Sequence, residues 1–362
     1  MNADSNARER IQRLLMATRR ISQAGSLVRR ELSARLARTS GLSSAGIDWA
    51  FEHCLELTPS EAELTALAGS VTSTERAHVI LPANVFVAAH RAIAIALAAA
   101  PRVRVKPSRR EPAFVEALAA EAPDLFECVE ELEVERGDHV WAYGSDVTLE
   151  ALRRQLPPGA VLHAHGTGFG VVLVDLATPA SALGLAEVAR AIADDTLAFD
   201  QRGCASPRLV LACGGAERAT AFASVLAAEL ALAEVRVPRG TLDEAERADV
   251  AWYLACAACF GPVFDAGQGS VSVRGPSADG PALVDVPPVG RHLAIVALEH
   301  FAPALRALAP WLTCVGCASP SLAAQARQLL PLARVVPLGK MQTPAFDGPV
   351  DQRPDGAGEI IV

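Results

Sequence analysis

From residue 78 onward, short β-branched runs alternate with Ala- and Leu-rich segments of helical length, and that alternation leaves the chain few architectures. "HVILPAN" (78–84) reads as a strand, "VFVAAHRAIAIALAAA" (85–100) as a helix and "RVRVKPS" (102–108) as the next strand. A helix at "PAFVEALAAEA", a strand at "HVWAYGS" and a helix at "DVTLEALRRQL" repeat the pattern. Strand–helix–strand units of this length close right-handed, and a run of them builds a doubly wound parallel sheet. A second set begins near 160, with strands at "AVLHAH" and "VVLVDL" and a helix at "SALGLAEVARAIADDTLAF". Further on come "RLVLAC", helices at 216–232 and 242–259, strands at "SVSVRG" and "HLAIVAL", and a helix at 321–330. Residues 5–70 carry apolar side chains at spacings of three and four and read as helices. "GPSADGPALVDVPPVG" reads as a surface loop. The expected class is therefore α/β.

The chain is long enough for roughly two domains of about 150 residues. A net charge of −8 gives no electrostatic reason to expect nucleic-acid binding. The most apolar run, "VILPANVFVAAHRAIAIALAAAP", is interrupted by Asn84, His90 and Arg91, so no membrane span is expected. The N-terminus lacks a secretory pattern, and eight cysteines in 362 residues is not disulfide density. A cytoplasmic enzyme with reduced thiols is expected.

Several stretches could carry chemistry. In "WAYGSDVTLEALRR" a strand runs through Gly144 and Ser145 into a helix, where backbone N–H groups and the helix dipole can receive phosphate. The plainer reading is that Ser145 or Asp146 caps that helix. "VRVKPSRREPAF" ends a strand with Lys106, then Ser108, Arg109 and Arg110: a set for a ribose or its 2′-phosphate, or a solvated basic turn. "HGTGFG" (165–170) is not a dinucleotide fingerprint, because β-branched "VVLVDL" follows it rather than a helix. Its glycines let the backbone pass close to a ligand or another strand. Two CxxC pairs, Cys256/Cys259 and Cys314/Cys317, raise a zinc-structured module, but the first sits in "VAWYLACAACF", a helical context, and no metal is expected. "AFDQRGCASPR" (198–208) puts Cys204 on a polar turn beside Arg202, which could favour a thiolate. From the residues alone it is either a nucleophile or a structural thiol.

Taken in order, these pieces resemble the acyl-CoA reductase family of the aldehyde dehydrogenase superfamily, typified by the bacterial luciferase-associated fatty acid reductase. "LPANVF" is similar to that superfamily's Pro-x-Asn segment, "VKPS" to its Lys-Pro-Ser ribose motif and "AYGS" to its Gly-Ser turn at the pyrophosphate. "HAHGTGFGVVLVD" and "FDQRGCASPR" resemble the acyl reductase signature, "LEHFAP" the Glu-x-Phe-Gly-Pro segment and "PLGKMQTP" the closing motif. "CFGPVF" (259–264) copies Phe-Gly-Pro-Val more literally but lies too near Cys204 and is read as coincidence. Two departures stand out. "HAHGTG" occupies the place of the hydrolytic enzymes' general-base glutamate, and "QRPDG" replaces a His-Asp-Gly.

The resemblance implies an aldehyde dehydrogenase-like fold: a Rossmann-like cofactor domain and an α/β catalytic domain with the active site between them. The domains would be 1–198 with the N-terminal helices and cofactor site, 199–335 with the cysteine, and a tail, 336–362, returning toward the cofactor domain. It implies Cys204 as nucleophile, Asn84 as oxyanion amide, and His165 (less so His163) for proton handling. Lys106, Ser108, Arg109, Gly144, Ser145 and Glu299 would hold the cofactor, NADPH (NADP) on account of Arg109 and Arg110. The reaction implied is reduction of an acyl-CoA or acyl-protein thioester to an aldehyde. An acyl-protein synthetase or transferase would be the feeding partner, and the chain a homo-oligomer. Two alternatives stand beside it: a reductase of the same fold acting on an acyl phosphate such as glutamyl phosphate, and an inactive scaffold.

Overall fold

Serine begins the early helices for one physical reason: its hydroxyl accepts an N–H that the first helical turn leaves without a partner. Ser26, Ser43 and Ser60 accept from Arg29, Gly46 and Glu63, and so start helices α2 (Leu27–Thr39), α3 (Ser44–His53) and α4 (Glu61–Gly69). With α1 (Ala3–Ser22) they precede a sheet in the computed structural model, which describes residues 3–177, 182–275 and 286–353. The described chain forms two compact units, the first comprising residues through Thr167 together with Ala345–Pro349.

The sheet of the first unit follows the expected alternation. Its elements are β1 (Arg76–Ile80), α5 (Ala88–Ala99), β2 (Arg102–Lys106), α6 (Ala113–Glu121), β3 (Glu127–Cys128), β4 (His139–Tyr143), α7 (Asp146–Gln155) and β5 (Val161–His165). All pairs are parallel, in the order β3-β2-β1-β4-β5. The chain runs outward from β1 through β2 to β3, then crosses back to β4. A topological switch therefore lies between β1 and β4, where open α/β sheets receive ligands at the strands' carboxyl ends. Helix α5 is buried along nearly its whole length, which its Ala- and Ile-rich sequence permits; its one charged residue, Arg91, is buried with a carboxylate partner, Glu56, at 2.7 Å.

The second unit comprises Gly168–Pro344 and Val350–Arg353. In chain order it contains β6 (Phe169–Asp175), α8 (Ala182–Leu197), β7 (Pro207–Cys213), α9 (Ala216–Arg236), α10 (Glu244–Phe260), β8 (Val263–Ala266) and β9 (Gly269–Arg274). After these come β10 (His292–Leu298), α11 (Phe301–Leu308), β11 (Leu312–Cys317), α12 (Pro320–Leu329) and β12 (Arg334–Pro337). Its sheet has the order β12-β11-β6-β7-β10-β9-β8 and is parallel except for the β8–β9 hairpin. Val171, Leu173, Leu209, Leu211, Leu305 and Val315 are among the residues of one core on this sheet. Buried on both faces, such strands read as continuous apolar runs rather than alternating ones.

The units divide after Thr167, earlier than the expected break at 198. Hydrogen bonding is the reason: β6 pairs with both β7 and β11, so it belongs to the cysteine's sheet. The tail is also shared differently from the expectation. Residues 336–344 and 350–353 belong to the second unit, and 345–349 to the first, where Arg91 Nη1 donates to Ala345 O and Gly348 O at 2.8 Å each. Most of the loop at 275–290 and the "PDG" of 354–356 lie outside the described residues.

Candidate active site

The turn that presents Cys204 is held by the residues just before it. Helix α8 leads into a 3-10 turn, Ala198–Gln201, in which Phe199, Asp200 and Gln201 take φ of 53, 51 and 65°. Left-handed backbone costs a non-glycine residue about 1–2 kcal/mol. Three in succession persist only because the surroundings over-determine them. Asp200 is buried and accepts from Nε and Nη2 of Arg291 at 3.0 and 2.8 Å, while its other oxygen accepts from Gly240 N at 3.0 Å. Gln201 joins two strands: its Nε2 donates to Pro207 O and His292 O, both at 2.9 Å, and its Oε1 accepts from His292 N at 2.7 Å. The "FDQ" of the signature is thus a clamp.

The glycines of "GTGFG" make room for this turn. A Cβ on Gly170 would lie 2.4 Å from Ala205 O, and one on Gly168 would lie 2.6 Å from Thr313 Cγ2. At Gly170 the backbone passes close to another part of the chain, the Ala205 carbonyl. The closing motif packs here as well. Asp195 on α8 accepts from Gly339 N at 2.7 Å and Met341 N at 3.0 Å, and Gln342 Nε2 donates to Ser206 Oγ at 3.2 Å. Burial pushes the Asp195 carboxyl up to about 7.

Cys204 is exposed at its surface, yet crowding by the surrounding protein is the main cause that pushes its thiol up to about 11. Such a thiol is touched by water yet poorly solvated, which disfavours its charged form. The Asp351 carboxylate acts in the same direction, whereas the Arg353 guanidinium and the N–H groups of Cys204 and Ala205 favour the thiolate. Arg353 is held by Asp351, with Nε to Oδ1 at 2.8 Å and Nη2 to Oδ2 at 2.7 Å, and it donates through Nη1 to Pro310 O at 2.7 Å. Sequence reasoning missed both residues; the only signal was the departure at "QRPDG". The sequence points instead to Arg202 as the cation that could favour a thiolate. That expectation is corrected: Arg202 is tied to Glu246 at 2.7 and 2.8 Å and to Thr241 O at 2.9 Å, and Arg353 is the cation that acts on the thiol.

In the first unit, the expected cofactor residues follow the carboxyl ends of adjacent strands. Exposed Asn84 lies in the loop after β1, and Lys106 closes β2, with Ser108 half-buried and Arg109 and Arg110 exposed beyond it. Gly144 and Ser145 follow β4. Ser145 does cap α7, accepting from Thr148 N at 3.3 Å, and Gly144 N donates to His165 O at 3.2 Å. His165 ends β5 with its ring stacked on Tyr143, centroids 4.5 Å apart. His163 is stacked on Trp141 at 4.3 Å, and burial lowers its imidazole to about 4, which suits packing rather than proton transfer at neutral pH.

Glu299 requires a correction. Strands β7 and β10 are parallel, with Leu298 opposite Cys213, so Glu299 follows the carboxyl end of β10 while Cys204 precedes the amino end of β7. The seven residues of β7, at about 3.3 Å each, put them on the order of 20 Å apart. A nicotinamide ribose serving Cys204 is out of reach of Glu299. "LEHFAP" is instead the entry to α11, whose Phe301 and Leu305 pack into the core. "CFGPVF" closes α10 at Gly261, where a Cβ would meet Val273 O at 2.1 Å. Cys256 and Cys259 lie on α10, Cys314 and Cys317 on β11, and the described residues contain no group of three or more side chains arranged for a metal.

Comparison with known proteins gives a consistent picture. A sequence family described as acyl-CoA reductase (LuxC) matches residues 74–351. No curated protein sequence matches. Among solved structures, a NAD-dependent aldehyde dehydrogenase from Sinorhizobium meliloti superposes with a TM-score of 0.66 at 15% identity, over 92% of this chain and 74% of its own. A NAD-dependent benzaldehyde dehydrogenase from Corynebacterium glutamicum gives 0.65 at 13%, over 91% and 80%. Lactaldehyde dehydrogenase from Escherichia coli gives 0.64 at 14%, over 92% and 78%. At such identities the likeness establishes the fold, an aldehyde dehydrogenase-like α/β architecture. No helix among the described residues is long and apolar enough to cross a membrane.

Proposed function

The chain belongs to the acyl-CoA reductase (LuxC) family, an oxidoreductase of acyl or aldehyde groups, and on that premise we propose that it reduces an acyl thioester to an aldehyde through Cys204, with NADPH as reductant. The observation that carries this reading is the construction of the Cys204 turn. Three left-handed residues, two buried polar clamps and two close-packed glycines serve to present one exposed thiol.

The first unit suits a nicotinamide dinucleotide. Lys106 ends β2, Arg109 and Arg110 follow it, and the amino end of α7 follows β4 at the switch point; their donors suit a diphosphate and a 2′-phosphate. Such a cofactor, when bound, supplies the hydride. The chain's own residues do the rest. Cys204 Sγ, as thiolate, attacks the acyl carbonyl and expels the coenzyme A or carrier thiolate, which takes up a proton. The Cys204 N–H and the Asn84 amide are the proposed oxyanion donors; losing one such donor costs about 10²–10³ in rate. Collapse of the reduced hemithioacetal returns the Cys204 thiolate and frees the aldehyde. His165 is the proposed proton carrier. No glutamate stands at "HAHGTG" to activate water, which preserves the thioester for reduction.

The test is NADPH absorbance with a short and a long acyl-CoA, for wild type and Cys204→Ala. Oxidation with recovered aldehyde, reduced about 10³-fold or more in the variant, is the expected result. Undiminished turnover in Cys204→Ala would sink the mechanism, and strict dependence on NADH would sink the cofactor assignment.

A further inference from the structure

Strand β11 is irregular beside the nucleophile. Its register with β6 pairs Leu312 with Phe169 and Cys314 with Gly170, which leaves Thr313 as the extra residue of a bulge. Bulges next to active sites re-aim a side chain. Here the re-aimed side chain is fully buried, and its hydroxyl donates to the Cys204 carbonyl oxygen, a closer partner than Phe169 O at 3.4 Å. Gly168 makes the seat possible, since a Cβ there would collide with Thr313 Cγ2. The Cys204 carbonyl and the Ala205 N–H belong to one rigid peptide plane, and that N–H is among the groups that favour the Cys204 thiolate.

We propose that Thr313 is a positioning residue: by holding the Cys204 carbonyl it fixes the Cys204–Ala205 peptide plane and keeps the Ala205 N–H aimed at Sγ. The inference rests on the reading of Cys204 as the nucleophile. The other groups that act on Sγ are Asp351 and Arg353 from the tail, and the buried Cys314 thiol of β11 senses the charge on Cys204. Thr313→Val removes none of these groups; what it deletes is the hydroxyl on the Cys204 carbonyl.

The experiment is alkylation of Cys204 by iodoacetamide in the full chain, followed by peptide mass spectrometry between pH 7 and 9.5. If Thr313→Val frees the plane and raises the thiol by about one unit, thiolate falls tenfold and its greater intrinsic nucleophilicity returns part of that. Alkylation should then slow about three- to fourfold across this range. Thr313→Ser should match wild type. A merely structural role predicts the opposite sign, because loosening the turn would expose the thiol and speed the reaction. Unchanged or faster alkylation in Thr313→Val, or a serine variant as slow as the valine, would overturn the proposal. The assay needs no reductase turnover. A protein inactive on every acyl-CoA but showing the expected alkylation pattern would retire the functional reading and leave the positioning role standing.

Discussion

The Cys204 turn and the loops after β1, β2 and β4 are built on opposite principles. The turn is irregular backbone forced into place by buried side chains: Asp200 on Arg291, Gln201 on β7 and β10, Thr313 on the Cys204 carbonyl. The loops of the first unit need no such clamps. A parallel sheet with a switch between β1 and β4 delivers them to one edge, and their chemical side chains, Asn84, Arg109 and Arg110, stay exposed. A nucleophile must be placed to a fraction of an ångström, whereas phosphate recognition by backbone and long cations tolerates adjustment. The difference teaches where substitution is expensive.

Arg291→Ala should produce the largest change. It leaves the Asp200 carboxylate buried without its main partner, and removal of one member of a buried pair costs about 3–5 kcal/mol. Urea unfolding measures this, and a loss below about 1 kcal/mol would break the claim that the turn is over-determined. Lys106→Ala should do the reverse. Stability should change by less than about 0.5 kcal/mol, while NADPH binding, followed by fluorescence titration, weakens roughly tenfold for the loss of one charged hydrogen bond. Equal affinities would remove Lys106 from the cofactor site. Glu299→Gln is the smallest effect. It should leave steady-state rates within about twofold of wild type, because the sheet separates it from Cys204. A tenfold fall in kcat would contradict the strand register.

Much of the fold was legible because apolar period and strand–helix alternation are local properties. The strands at 102–106, 139–143, 207–213 and 292–298 answer to four of the runs read as strands, 102–108, 139–145, 208–213 and 292–298. The element β11 was not, because "LTCVGC" is short, glycine-bearing and looks like a metal-ligand pair until neighbours on both sides show it to be a buried strand. Among site residues, Cys204 stood out by its polar turn and Lys106 by its place at a strand end. Thr313, Asp351 and Arg353 did not, since each acts on Cys204 across a gap in sequence that no local pattern encodes.

The sequence by itself therefore determined the α/β class and the family and singled out the Cys204 thiol as a candidate, because hydrophobic period and motif order are carried by neighbouring residues. Tertiary structure decided which cation faces that thiol, why residues 168 and 170 must be glycine, and on which edge of its sheet Glu299 lies. Those are matters of strand register and close packing, which pair residues far apart in the chain and exist only once the sheet has formed.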